Sequence, residues 1–288
     1  MEKRQITRPA FAALLFAWLA GGLLLSGCPF SLSLPDDIVR LRLEENCPDW
    51  DAGLLYLEGR KFDINTPAEH LQCALVVLRN AIPSQVHRTA IPSRICFLLA
   101  DRLDKKDERR ERFASEGVGW AEIAISEGAG LDGAVHYYLA VNLGIAVYDN
   151  TTLAVKNLKR IASELCKAGK LAPNVDHGGP YRVLGMLYLL APPWPQGIGD
   201  GDKALDLLSM VVKHHPGHPL NHIFYARALV ELDEGDEEEI TRHLKRAREL
   251  VNTDAWRALR ERYLKEIGNI AEDAGIDIHL PATTTSSK

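Results

Sequence analysis

From about residue 49 to residue 273, apolar residues recur at i, i+3, i+4 and i+7, the spacing of a helix with one buried stripe. Alternating runs of strand type are hard to find. The pattern predicts helices near 49–60, 66–81, 87–103, 106–127, 131–147, 151–168, 179–190, 202–214, 219–233, 237–250 and 254–273. That makes an all-α chain of about eleven helices, read as five antiparallel pairs and one terminal helix. Stacked pairs bury a core that no single pair could bury alone. The last helix carries Arg257, Arg260, Glu261, Arg262, Lys265 and Glu266, and reads as a polar cap.

One pair gives the register. From Tyr181 the chain reads Tyr-Arg-Val-Leu184-Gly185-Met-Leu-Tyr188, and the next helix supplies Ala204, Leu208, Val211 and Pro216. The spacing inside each helix is that of a tetratricopeptide repeat, W-x₂-L-G-x₂-Y then A-x₃-F then P, over about 34 residues. Tyr181 stands where Trp is usual. Small Gly185 and Ala204 predict a close helix approach, and Pro216 predicts a helix stop. Tyr188 and Ala204 are 16 positions apart, against about nine in the repeat. The excess lies in LLAPPWPQGIGDGD, residues 189–202. Such insertions project from one face of an array, often the binding face. The other pairs are weaker copies, so the expected fold is a degenerate, solenoid-like array.

The amino terminus breaks the pattern. Lys3, Arg4 and Arg8 precede an apolar run from Phe11 to Leu25. That run is too short to cross a bilayer core of about 30 Å comfortably, and its flanks are those of a secretory signal. Leu25-Ser26-Gly27-Cys28 resembles the bacterial lipobox, in which the cysteine is acylated and becomes the first residue. The alternative is a plain signal peptide with a chance cysteine. Pro29 follows where Asp often marks inner-membrane retention, which points to the periplasmic face of the outer membrane of a Gram-negative bacterium. The expected organisation is a signal peptide at 1–27, a lipidated tether at 28–47, a helical domain at 48–275 and a disordered tail at 276–288.

Composition adds little beyond exclusions. The 288 residues are 46% hydrophobic and 25% charged, with net charge −5 and both signs interspersed, so no basic nucleic-acid surface is expected. Beyond Cys28 lie Cys47, Cys73, Cys96 and Cys166. A hairpin turning near Pro83 would put Cys73 and Cys96 at the same level, as the first candidate disulfide; the alternative is four small buried side chains. No C-x-x-C supports a redox or zinc motif. His214, His215, His218 and His222 invite a metal, but Pro216-Gly217 divides them, and turn chemistry explains the prolines. GIGDGDKA lacks the spacing of a phosphate loop; Asp200 or Asp202 reads as a helix cap. No catalytic constellation, metal site or cofactor is expected.

Residues 176–221 carry a more specific likeness. Gly178, Gly179, Pro180, Arg182, Leu184, Gly185, Tyr188, Ala191-Pro192, Gly199-Asp200, Lys203-Ala204, Pro219 and Asn221 resemble the T-component family of TRAP-associated transporters. Upstream, Trp50, Tyr138, Asn142, Leu143, Gly144 and the lipobox are similar too. Where that family often continues with a basic residue and Trp, Ile145-Ala146 stand here. The resemblance implies a periplasmic lipoprotein of tetratricopeptide repeats that is not an enzyme. It further implies a partner, the extracytoplasmic solute-binding protein of a TRAP transporter, and a homotrimer with a pore and clefts that hands over a small ligand. A general scaffold lipoprotein for envelope assembly is the competing reading.

Asn142, His177, Tyr181, Arg182, Trp194 and Asn221 are the candidate ligand or partner contacts. Three of them have a plainer alternative. Asn142 would bond a neighbouring turn, the residues from His177 to Pro180 would form a turn and helix start, and Trp194 would tuck onto the next repeat.

Overall fold

The computed structural model describes residues 47–81 and 84–278. The signal segment, Cys28, the tether up to residue 46 and the tail from residue 279 lie outside the described residues. The described chain is helical, with no β-strand among the described residues. Its helices are α1 (Ala52–Glu58), α2 (Ala68–Asn80), α3 (Ile91–Asp101), α4 (Glu108–Ala124), α5 (Gly133–Ala146) and α6 (Thr151–Leu171). Then follow α7 (Gly179–Leu190), α8 (Gly201–His214), α9 (Pro219–Glu231), α10 (Glu237–Val251) and α11 (Arg260–Asp273). None of them is long and apolar enough to cross a membrane.

The helix starts follow from local chemistry. Side chains of Asp51, Asp107, Asp132, Asn150, Asp200 and Asp236 accept hydrogen bonds from free backbone N–H groups of the first turns. Prolines sit in the first turns of α3, α7 and α9, where a missing N–H costs nothing. Of the two candidate caps before α8, Asp200 is the one used, accepting from the Lys203 N–H at 3.1 Å.

Consecutive helices pack as antiparallel neighbours along the chain. The α7–α8 pair shows why the repeat needs its small residues. A Cβ placed on Gly185 would lie 2.8 Å from Leu208 Cγ and 3.3 Å from the Ala204 carbonyl oxygen. Ala204 and Leu208 are fully buried. The apolar interior is a series of clusters. One joins α1 to α4, a second spans α4 to α7, a small third holds Met186, Leu208 and Ala228, and a fourth joins α9 to α11.

Three expectations are corrected. The disulfide joins Cys73 to Cys47, with Cα atoms 5.5 Å apart, and Cys96 is a buried free thiol. The α2–α3 connection is not the tight hairpin that paired Cys73 with Cys96. It includes a 3₁₀ turn at Gln85–Arg88, and α3 begins only at Ile91. Cys96 instead faces the interior near Glu116 and Arg79, and burial pushes its thiol pKa up. The body also starts and ends differently from the expected limits. Cys47 is bonded into it, and Ile276 and Ile278 are buried in the last cluster.

The terminal helix does more than cap. Tyr263, Ile267 and Ile270 on one face of α11 are buried against α9 and α10. Arg262 reaches back to α3, donating to the Asp101 carboxylate at 2.7 Å. Just before α11, the Ala255 carbonyl accepts from Asn65 Nδ2 at 2.9 Å, and the Ala258 N–H donates to Asn65 Oδ1 at 3.2 Å. The first and last parts of the array therefore touch.

Candidate functional site

The α6–α7 turn is where three of the six candidate contacts meet. Three successive residues take left-handed backbone: Asp176 (φ 49°), His177 (φ 53°) and Gly178 (φ 83°). Only glycine adopts this region without cost, so the first two positions store strain. Gly178 is required twice over, since a Cβ there would come 2.8 Å from the His215 ring. Gly179 is held equally close, with Tyr137 atoms 2.7 Å from a Cβ built on it. Pro180 then sets the first turn of α7.

That geometry carries Arg182 into the interior, where it is only 2% exposed. Its guanidinium donates to the Asp176 and His177 carbonyls at 3.0 and 3.4 Å, to Asn221 Oδ1 at 2.9 Å, and to the Asp176 carboxylate. The Tyr137 hydroxyl from α5 donates to the same carboxylate at 2.6 Å. Asn221, on the first turn of α9, completes the network by donating to the carbonyls of His177 (3.2 Å) and His215 (2.8 Å). One buried cation thus ties the α6–α7 turn to the α8–α9 turn. Burial opposes its charge, but Asp176, Tyr137 and Tyr263 outweigh that, and the guanidinium pKa is raised. Burial and Asp176 also push the Tyr137 hydroxyl up.

Histidines surround this hub. His218 is buried, edge-on to Trp256 with ring centroids 4.5 Å apart and 5.7 Å from the His177 ring. Its Nε2 lies 3.8 Å from Asp176 Oδ1, and its Nδ1 is buried without a hydrogen-bond partner. Burial, then the Arg182 charge and the neighbouring imidazoles, hold its pKa well below the ordinary value. His215 is lowered in the same direction, chiefly by burial. The His222 Nε2 donates to the Pro216 carbonyl at 2.9 Å, so its Nδ1 accepts from His243 Nδ1 at 2.9 Å. Among the described residues no group of three or more His, Cys, Asp or Glu side chains is placed to hold a metal ion.

The structure therefore brings His177, Arg182 and Asn221 together and leaves the other candidates elsewhere. Arg182 and Asn221 are buried and act through the fold; His177 is exposed at the rim. Tyr181 lies beside them in sequence but turns to α6, its hydroxyl donating to the Gly169 carbonyl at 2.8 Å. Asn142 is fully buried; its Nδ2 donates to the Ser93 carbonyl and hydroxyl at 2.9 and 3.0 Å. Ser93 in turn donates to the Gly117 carbonyl at 2.8 Å, so Asn142 locks α3, α4 and α5 together. Trp194 stands at the other end of α7 and is 84% exposed. Asp176, Tyr137 and Trp256 belong to the hub and were not singled out from the sequence. The only signal was an acid directly before His-Gly-Gly-Pro.

The polar atoms of the hub are mostly satisfied by one another. Such an arrangement fixes turns and presents a rim of defined shape. A separate pocket of about 700 Å³ opens between the Gln85–Arg88 turn and the π-helical turn at Ile125–Ala129, with Arg88 and Glu127 on its walls. It contains none of the candidate residues. Comparison with protein-family models and with curated proteins finds no match for this chain.

Proposed function

We propose that this chain is a lipid-anchored periplasmic accessory protein, similar to the T component of TRAP-associated transporters, that binds a solute-binding protein. The observation that carries the reading is the stretch 176–221. Its family-like residues Gly178, Gly179, Arg182 and Asn221 support one continuous piece of architecture, a buried ionic hub that holds two inter-repeat turns in place. A helical array with a stiffened turn end is suited to docking proteins. The anchor is Cys28 on the outer membrane, and a homotrimer that hands a small ligand to its partner belongs to the same reading.

The test is capture of the full-length protein from cross-linked cells. The expected result is recovery of a TRAP-type solute-binding protein. Recovery of an outer-membrane assembly complex in its place would support the scaffold reading and sink this one. Cys28→Ser is expected to release the protein from the membrane fraction, which checks the anchor separately.

A further inference from the structure

From Val183 to Gly199 the chain carries no charged residue. The outer part of that stretch forms a closed knob between α7 and α8. The Gly199 N–H donates to the Pro192 carbonyl at 2.8 Å and the Asp200 N–H to the Tyr188 carbonyl at 2.9 Å. Gln196 and Gly197 both donate to the Pro193 carbonyl at 3.1 Å. There is no space inside: a Cβ on Gly197 would lie 2.3 Å from the Pro192 oxygen, and one on Gly199 would lie 2.1 Å from the Ala191 oxygen. The knob holds its shape before any partner arrives. Outside it, Trp194 is 84% and Leu190 61% exposed.

The knob has a charged neighbour. At the start of α8, a Cβ on Gly201 would lie 2.8 Å from Leu232 Cδ2. Leu232 opens the α9–α10 turn, where Asp233, Glu234 and Asp236, with Glu237 and Glu238 at the start of α10, are all exposed. Lys203, in the first turn of α8, is already paired with Asp200 at 2.6 Å.

We propose that the Leu190–Trp194 knob and the acidic Asp233–Glu238 turn form one docking surface for a protein presenting an apolar pocket bordered by lysines and arginines. A projecting Trp on a preformed loop is the usual kind of binding hot spot, and its ordering cost is already met by the fold. The acids select the partner's rim and steer its approach. The same acids repel an anionic lipid surface, which disfavours a bilayer as the occupant. The inference rests on the proposed function, in that the partner is the solute-binding protein of that reading.

The experiment measures association and dissociation between the full-length protein in detergent and the purified solute-binding protein, at low and high salt. Trp194→Ala is expected to weaken binding at least about tenfold, through faster dissociation. The triple variant E234Q/E237Q/E238Q is expected to slow association several-fold at low salt and to leave it unchanged at high salt. Wild-type binding that neither change affects overturns the docking surface and leaves the proposed function standing. Failure of the wild type to bind sinks the proposed function itself, and the assigned partner with it. Two controls name other occupants: a Trp194→Ala variant that changes the protein's own mass in sedimentation, or that loses binding to phosphatidylethanolamine–phosphatidylglycerol vesicles. Either result, with binding to the solute-binding protein unaltered, overturns the proposal. Circular dichroism checks that each variant is folded.

Discussion

At the residue scale, Arg182 does the most work per side chain. Itself buried, it satisfies two carbonyls, one amide oxygen and one carboxylate. Removing one partner of a buried ion pair costs about 3–5 kcal/mol, and the half-exposed Asp176 places this one near the lower end. Arg182→Met is therefore expected to lose about 3 kcal/mol in urea unfolding, with Arg182→Lys falling between. A loss within about 0.5 kcal/mol would show that the hub is not what holds the turns. His218 adds a pH dependence. Its folded pKa is depressed, while the unfolded value is near 6.5. The unfolded chain binds the proton more readily below that value, so stability is full above about pH 6.5 and is lost as pH falls. His215, His222 and His243 are depressed in the same direction and share the limb. His218→Phe keeps a ring against Trp256 but cannot titrate. Unfolding at pH 7.5 and 5.5 is expected to show a smaller acid loss for this variant than for the wild type; equal losses would place the limb elsewhere.

At the element scale, the sequence patterns and the structure agree where a helix is decided locally. Most helices have an apolar stripe, α5 being buried nearly all round from Val135 to Leu143, and Asp, Asn or Pro near the first turn marks most starts. The repeat register was legible through Gly185 and Ala204, because close packing admits only small residues there. What was not legible depends on non-helical connections. The α2–α3 segment decides which cysteines meet, and neither its 3₁₀ turn nor the later start of α3 has a periodic signature. The hub was half visible. Gly178, Gly179 and Pro180 announce a turn, but Asp176 gains its role from Tyr137 and Arg182, set 39 and 6 positions away. The disulfide gives a direct check. Cys47–Cys73 closes a loop with a sequence separation of 26, which stabilises the fold by about 3–4 kcal/mol in the chain-entropy account. Reductant is expected to lower the melting temperature of the wild type and of Cys96→Ala, and to leave Cys73→Ser unchanged. A Cys96→Ala variant insensitive to reductant would restore the Cys73–Cys96 pairing.

At the scale of the whole array, the joints differ in kind. Between neighbouring pairs the contacts are buried apolar clusters. Where the first part meets the last, they are mainly polar and exposed: Asn65 with residues 254–258, and Arg262 with Asp101. Arg102, just after α3, steadies the first side of this seam by donating to the Thr66 carbonyl at 2.9 Å, and Ile64 borders both the first and the last apolar cluster. Exposed hydrogen bonds and surface ion pairs contribute little each, about 0–1 kcal/mol, whereas a packed apolar joint contributes several. The seam is thus the place where the array opens at least cost, and local opening follows such weak joints. Asn65→Ala with Arg262→Ala is expected to speed amide hydrogen exchange in α1, α2 and α11, while α5 to α8 exchange as in the wild type. Uniform acceleration through all helices would mean that the seam belongs to one cooperative unit with the core. No change at all would mean that the apolar contact of Ile64 holds the two ends together by itself.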